Sequence, residues 1–338
     1  MEFSGTVLWG EDFEPVEGTL VVEDGSVVRL DEELTESDNI VLPAFVNAHT
    51  HLADSIAKEA GRGLTLEELV APPDGLKHRL LADASREDLV EGMRRSLQFM
   101  EATGTGLTLE FREGGVEGVH ALQEAAMNLA VEAFAFGRGS ADVLDVADGF
   151  GASGAADGEF GRERNAARDA GKPFAIHAGE VDASDINPAI DLDPELLVHM
   201  VHAEGLHLDR VADNEIPVAV CPRSNLVTDV GVPPVRELLD RTTVALGTDN
   251  VMTNSPSMFR EMAFAAKHFD VTAPEVLRMA TRAGAEVVDA NCGVLQAGRD
   301  ARVLVLDGDS DNLVGYHDAI RAVVRRAGAS DVEHVHLS

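Results

Sequence analysis

The segment VLPAFVNAHTHLAD, residues 41–54, constrains this chain more than any other. An apolar run ends in two histidines one residue apart, His49 and His51. Residues i and i+2 of a strand point to the same side. Two imidazoles leaving one strand end on one side can therefore grip a single metal ion. A pair of ordinary surface histidines is the alternative, and the rest of the chain decides between the two.

Apolar runs recur between helix-like stretches. After FVNAHTH come TGLTLEFREGG (105–115), NLAVEAFAFGR (128–138) and the weaker GFGASGAAD (149–157). PFAIHAGE (173–180), ELLVHMVH (195–202), PVAVCPRSN (217–225) and TVALGTDN (243–250) follow. Between them lie segments such as SREDLVEGMRRSLQFMEAT and GEFGRERNAARDAGK, which read as helices. Eight strands alternating with helices predict an α/β fold, a (β/α)8 TIM barrel. Residues 1–42 and the C-terminal RVLVLD stretch read instead as short strands between turns.

Polar residues cluster at the C-terminal ends of the barrel strands, the face that carries the site in such barrels. They are His49 and His51, Glu110 and Arg112, His177 and Glu180, His199, Arg223 and Asn225, and Asp249. His49, His51, His177 and Asp249 form a candidate set for one divalent ion. Imidazoles with a carboxylate suit Zn2+ and also accept Fe2+ or Mn2+. Such an ion lowers the pKa of a bound water and yields a hydroxide nucleophile. Glu180, three residues past His177, is placed to take a proton and pass it to a leaving group; a capping or surface glutamate is the bland alternative. His199 is expected to face the site, and His202 to lie in the following loop.

PAFVNAHTH, FAIHAGE, VHMVH, CPRSN and ALGTDN, in this order, resemble the amidohydrolase superfamily, in particular its cytosine-deaminase/chlorohydrolase-like branch and its archaeal members. The resemblance covers essentially the whole chain. It implies a metal-dependent hydrolase barrel over 43–294, with 1–42 and 295–338 joined in a small β-sandwich. It implies His49, His51, His177 and Asp249 as metal ligands and Glu180 as proton shuttle. His199 would polarise water or substrate, and Asp249 would also accept a proton from the bound water. Two-metal members use a carboxylated lysine on the fourth barrel strand. No lysine occurs between Lys77 and Lys172, so a one-metal site is expected.

The substrate contacts are less constrained. Arg223 could bind an anionic group on the substrate or pair with a neighbouring acid. Asp54, Lys77 and His78 belong to a long connection, 54–81, expected to reach over the barrel mouth as a loop or short helices. Asp54, His78, Glu110, Arg112, Arg223 and Asn225 make up the expected substrate-binding set. Asn250, Ser255 and Ser257 are expected to hold Asp249 or cap the next helix.

Composition narrows the remaining choices. The 338 residues carry a formal charge of −33 with four lysines, Lys58, Lys77, Lys172 and Lys267. The acid is spread along the chain, as in proteins of salt-loving archaea, where salt screens self-repulsion. Phosphate would be repelled, so nucleic acid is not an expected partner. No apolar run is long enough for a membrane span, and the N-terminus does not read as a signal peptide. Cys221 and Cys292 are distant and lack CxxC spacing, which fits a cytoplasmic, disulfide-free protein. The expected partner is a small-molecule substrate, with homo-oligomer formation left open. Hydrolytic deamination of a small aminated heterocycle (purine, pyrimidine or pterin-like) is the leading expectation. Cyclic-amide hydrolysis, chloride displacement and a non-catalytic binding protein on the same fold are the alternatives.

Overall fold

The computed structural model describes residues 1–70 and 74–337. Two sheets organise them. The first carries, among the described residues, β1 (Glu2–Trp9), β2 (Glu14–Glu23), β3 (Ser26–Glu32), β4 (Ile40–Pro43), β14 (Arg302–Leu306) and β15 (Val332–Leu337), in the order β15-β14-β4-β1-β2-β3. The two ends of the chain meet where β14 pairs antiparallel with β4, Val305 opposite Val41. Val7, Leu20, Val27, Val41 and Val303 form an apolar cluster on this sheet.

The second sheet is parallel and curled. Its strands are β5 (Phe45–His51), β6 (Thr105–Arg112), β7 (Glu132–Gly137), β8 (Gly149–Ala152), β9 (Phe174–Ala178), β10 (Leu196–His199), β11 (Val218–Val220), β12 (Val244–Leu246) and β13 (Asp249–Asn250). They lie in the order β12-β11-β10-β9-β8-β7-β6-β5-β13. Strands buried on both faces read as continuous apolar runs, which is why FAIHA, VAV and VAL show no alternation. Only Ala44 separates β4 from β5, so the apolar run 41–46 is shared between the two sheets.

The strands at the two ends of this order, β12 and β13, are consecutive in the chain, with Gly247 and Thr248 between them. Gly247 N–H donates to Val220 O at 3.0 Å and Thr248 N–H to His49 O at 3.1 Å. One passage of chain thus bonds to β11 on one side and to β5 on the other. Glycine is required here: a Cβ on Gly247 would stand 2.7 Å from the His49 Cβ and 2.9 Å from its nitrogen.

Helices cover the parallel sheet. In α3 (Arg86–Ala102), which follows α1 (Leu66–Val70) and α2 (Leu76–Asp83), Ser85 caps the start by accepting the Asp88 N–H at 3.1 Å. Val90, Met93, Leu97 and Met100 recur at helical spacing and are buried. Each contributes roughly 1.5–3 kcal/mol by leaving water. The left-handed Gly104 then ends the segment and turns the chain into β6. The 54–81 connection contains a short 3-10 turn (Leu52–Ala57), α1 and α2, in line with the expected short helices; residues 71–73 lie outside the described residues. Among the described residues, no helix is long and apolar enough to cross a membrane.

Candidate active site

The C-terminal ends of β5, β9, β10 and the β12–β13 passage bring their polar residues to one place. The ring centroids of His49 and His51 are 4.9 Å apart, as are those of His49 and His177. His199 lies 5.3 Å from His177 and 5.6 Å from His49. Asp249 Oδ1 stands 3.3 Å from His49 Nε2 and 3.6 Å from His51 Nε2. The ligand atoms of His49, His51 and Asp249, and likewise those of His49, His177 and His199, lie within 4.8 Å of one another.

Backbone register creates this meeting. Asn47 and Thr248 exchange two hydrogen bonds, at 2.8 and 3.0 Å, and so tie the first strand to the last. Asp249 and His199 both hold left-handed backbone, at φ 59° and 78°. Such conformations are strained for residues with a side chain and cluster at functional sites. The left-handed Gly179 turns the chain directly after β9 and is followed by Glu180.

The outer nitrogens of the imidazoles are tied down. His177 Nδ1 donates to Ala152 O at 2.8 Å. His51 Nδ1 is 3.1 Å from Phe111 O and 2.9 Å from Glu113 Oε1. Each bond fixes the tautomer and leaves the Nε2 lone pair facing inward. His49 differs: it is fully buried, its Nδ1 has no hydrogen-bond partner, and its Nε2 faces Asp249 Oδ1 at 3.3 Å without a well-aligned hydrogen bond. A buried polar group without a partner is costly, so this orphan in a nest of imidazoles and a carboxylate fits a metal ion. Burial pushes the His49 imidazole down to about 3, against the pull of Asp249, and holds His177 well below its ordinary value. Both are neutral at pH 7, as metal ligation demands. Burial would raise Asp249, but the His49 contact and the surrounding imidazoles outweigh it and hold that carboxyl well below its ordinary value. Ser224 Oγ donates to Asp249 Oδ2 at 2.6 Å, and Asn250 Nδ2 to Oδ1 at 3.0 Å.

His199, not His202, faces the cluster: it is buried, with Nε2 3.5 Å from Glu180 Oε2. Burial raises Glu180 above its ordinary value, with the His199 imidazole pulling the other way. A cavity of about 130 Å3 opens beside these groups, lined in part by His51, His177, Glu180, His199 and Asp249. A larger cavity of about 610 Å3 lies elsewhere, among Glu11, Asp12, Arg278, Arg282 and Glu286, and is lined by none of His49, His51, His177 and Asp249.

None of the expected substrate contacts lines this cavity, and each makes contacts within the protein. Asp54 is buried, accepts the Met252 N–H at 3.0 Å and lies 3.6 Å from Lys77. His78 Nε2 bonds Val70 O at 3.0 Å. Glu110 accepts the Leu52 N–H and the Thr50 hydroxyl, both at 2.8 Å. Arg112 lies between Glu110 and Glu113, at 3.8 and 3.4 Å. Arg223 pairs with the buried Glu261 at 3.1 Å and bonds Asn254, so the neighbouring-acid alternative describes it. Asn225 bonds His199 rather than the cavity. The wall is built instead with Leu66, Val70, Lys77, Arg138, Ser153 and Asp157. Arg138 directly follows β7 and could have been reached by the strand-end rule. Ser153 and Asp157 follow the weak fourth strand and carried no signal. Asn250 holds Asp249 as expected, whereas the Ser257 side chain makes no cap bond to its helix.

The match to known families is decisive at this point. The description "Amidohydrolase family" matches residues 40–150 and 149–335. This chain belongs to the amidohydrolase family. Among relatives of this amidohydrolase, a putative aminohydrolase of Methanothermobacter thermautotrophicus is 33% identical, over 90% of each chain. A 5-methylthioadenosine/S-adenosylhomocysteine deaminase of Haloarcula marismortui is 28% identical, covering 93% of this chain and 84% of the relative. The crystal structure of atrazine chlorohydrolase from Arthrobacter aurescens TC1, complexed with zinc, superposes with a TM-score of 0.82 at 19% identity, over 99% of this amidohydrolase and 93% of that chain; this likeness concerns the fold. The amidohydrolase is an enzyme, a metal-dependent hydrolase of carbon–nitrogen bonds.

Proposed function

We propose that this enzyme hydrolytically deaminates a small aminated heterocycle, with one divalent ion held by His49, His51, His177 and Asp249. The observation that carries the proposal is His49, an imidazole buried among ligand-type groups, with Asp249 3.3 Å from its Nε2 and no well-aligned hydrogen bond on either nitrogen. An ion bound there would act as a Lewis acid and make water acidic near neutral pH. Zinc is the ion the donor set favours.

The side chains supply the rest. Glu180, raised above its ordinary value by burial, stands beside His199 on the cavity wall and is placed to take up a proton and deliver it. His199 accepts from Asn225 at Nδ1, so its own proton sits on Nε2, directed toward Glu180 and the cavity. That N–H can polarise an acceptor atom on the ring being attacked. Asp249 remains an anion beside His49 and His51. In the overall reaction a water oxygen bonds the amine-bearing ring carbon, the carbon–nitrogen bond breaks, and ammonia leaves with a proton passed by Glu180.

The supporting scaffold is a closed (β/α)8 barrel over 43–294, with 1–42 and 295–338 as a composite β-sandwich. The bonds of Gly247 and Thr248 to β11 and β5 support closure. The even acidity supports a saline cytoplasm as the working environment. The test is ammonia release on incubation with purines, pyrimidines and pterins, in molar salt with zinc or iron. Release from at least one ring is expected. Turnover of a cyclic amide or a chlorinated ring with no ammonia release from any amine would overturn the deaminase reading.

A further inference from the structure

Glu113 stands one residue past the end of β6, outside the ligand-type cluster, and is largely buried, with 12% of its side chain exposed. Its Oε1 lies 2.9 Å from His51 Nδ1, 2.9 Å from Lys77 Nζ and 3.3 Å from Arg138 Nη1. Its Oε2 lies 3.4 Å from Arg112 Nη1. One carboxylate oxygen thus meets an imidazole of the candidate metal site and two cations of the cavity wall.

Lys77 makes this more than a local ion pair. It belongs to α2, in the 54–81 connection, and is buried. Beyond Glu113, its ammonium donates to Asn250 Oδ1 at 3.0 Å, and Asn250 Nδ2 donates to Asp249 Oδ1 at 3.0 Å. One lysine of the connection therefore reaches two candidate ligands, His51 through Glu113 and Asp249 through Asn250. Leu69, Leu76 and Leu80 pack with Ala57 and Met252 into a separate small apolar cluster. Val70 and Lys77 line the cavity. Through Val70 of α1 and Lys77 of α2, the described helices form part of the cavity wall, and their polar contacts share residues with the candidate metal site.

We propose that Glu113 is a positioning residue that couples α2 to the metal site, orienting His51 and anchoring Lys77 through the same oxygen. The inference rests on the metal-site reading above. A carboxylate behind a ligating imidazole fixes its ring and raises its basicity, and losing such a partner costs roughly 10–100-fold in metal affinity. The competing explanation is that Phe111 O, 3.1 Å from His51 Nδ1, orients the ring alone and that Glu113 only neutralises cations.

The experiment measures zinc affinity by chelator competition, and backbone amide exchange over 76–83, in molar salt. Gln keeps an acceptor at the same place and Ala does not. Glu113→Ala is expected to lose about 10–100-fold in zinc affinity. Glu113→Gln should fall between it and the wild type, whereas a pure charge effect would place the two variants together. Zinc should slow exchange over 76–83 in the wild type and not in Glu113→Ala. Lys77→Met leaves the His51–Glu113 pair in place, and so should speed exchange in α2 while lowering zinc affinity less than Glu113→Ala does. If the Glu113 variants fail to fold, Lys77→Met decides, and unchanged exchange in it overturns the coupling. Wild-type affinity in both Glu113 variants, or equal losses in the two, also overturns it. A wild-type chain that binds no zinc would overturn the metal reading and this one together, while a zinc-binding wild type with unaffected variants overturns this one alone.

Discussion

Asn225 Nδ2 lies 3.1 Å from His199 Nδ1. An amide nitrogen donates, so His199 accepts there and carries its proton on Nε2, toward Glu180. Asn225→Asp replaces the donor with an acceptor and should move the proton to Nδ1. The expected result is a fall in kcat of about a hundredfold or more, the scale of losing one general acid–base group. Metal content should be unchanged. Steady-state kinetics beside elemental analysis checks this, and near-normal kcat would remove His199 from its donor role.

Glu180→Gln tests the proton carrier. It should keep the fold and the ion and lose at least about a hundredfold in turnover. If turnover stays near normal, the proton passes through another group.

The metal prediction concerns stoichiometry and stability. One divalent ion per chain is expected, and a His49→Ala/His177→Ala double variant should lose it. Because the ion binds the folded chain, free metal at about a hundred times Kd should add roughly 2.7 kcal/mol of stability. Thermal melting before and after chelation reads this directly. Two ions per chain, or unchanged metal content in the double variant, would contradict the site.

Glu261 makes the pH dependence testable. Burial raises its carboxyl to about 7 against the pull of Arg223, from an ordinary value of 4.5. Between those values the folded chain keeps a proton that the unfolded chain has released. Stability from this group therefore falls as pH rises from about 4.5 to about 7 and is level above that. Buried imidazoles with lowered values, His49 among them, act with the opposite sign below their ordinary 6.5. The difference between wild type and Glu261→Gln isolates the carboxylate. The Tm of the variant should gain on the wild type as pH rises through that window, and parallel curves would refute the assignment.

Salt dependence follows from the charge of −33. The Debye length is roughly 30 Å near 0.01 M salt and roughly 3 Å near 1 M, so repulsion that spans the molecule in dilute buffer is confined to neighbours in brine. Molar salt should be needed to keep the chain folded, and Tm at fixed metal and neutral pH should climb steeply with salt. A flat curve would favour a cationic partner as the reason for the acidity.

The strand order along the chain and the candidate ligand set were legible in the sequence because both rest on short-range pattern. A buried parallel strand must be an apolar run, and a residue at its C-terminal end must face the site side. His49, His51, His177, Glu180, His199 and Asp249 all sit at or just past such ends. Even the His199/His202 choice reduced to where a four-residue strand stops. The cavity wall was not legible, because long-range partners set it. Arg112 and Arg223 look like free cations in the sequence, yet Glu113 and the buried Glu261 pair with them in the fold. Lys77 reaches the site only because α2 folds back over Asn250, 173 residues away. Glu113 became visible as the partner shared by His51, Lys77 and Arg138 only once three distant segments met. Local periodicity determines which residues leave a strand toward the site; which charges remain available there is a tertiary outcome, because a buried ion takes whatever counter-ion the packing brings within reach.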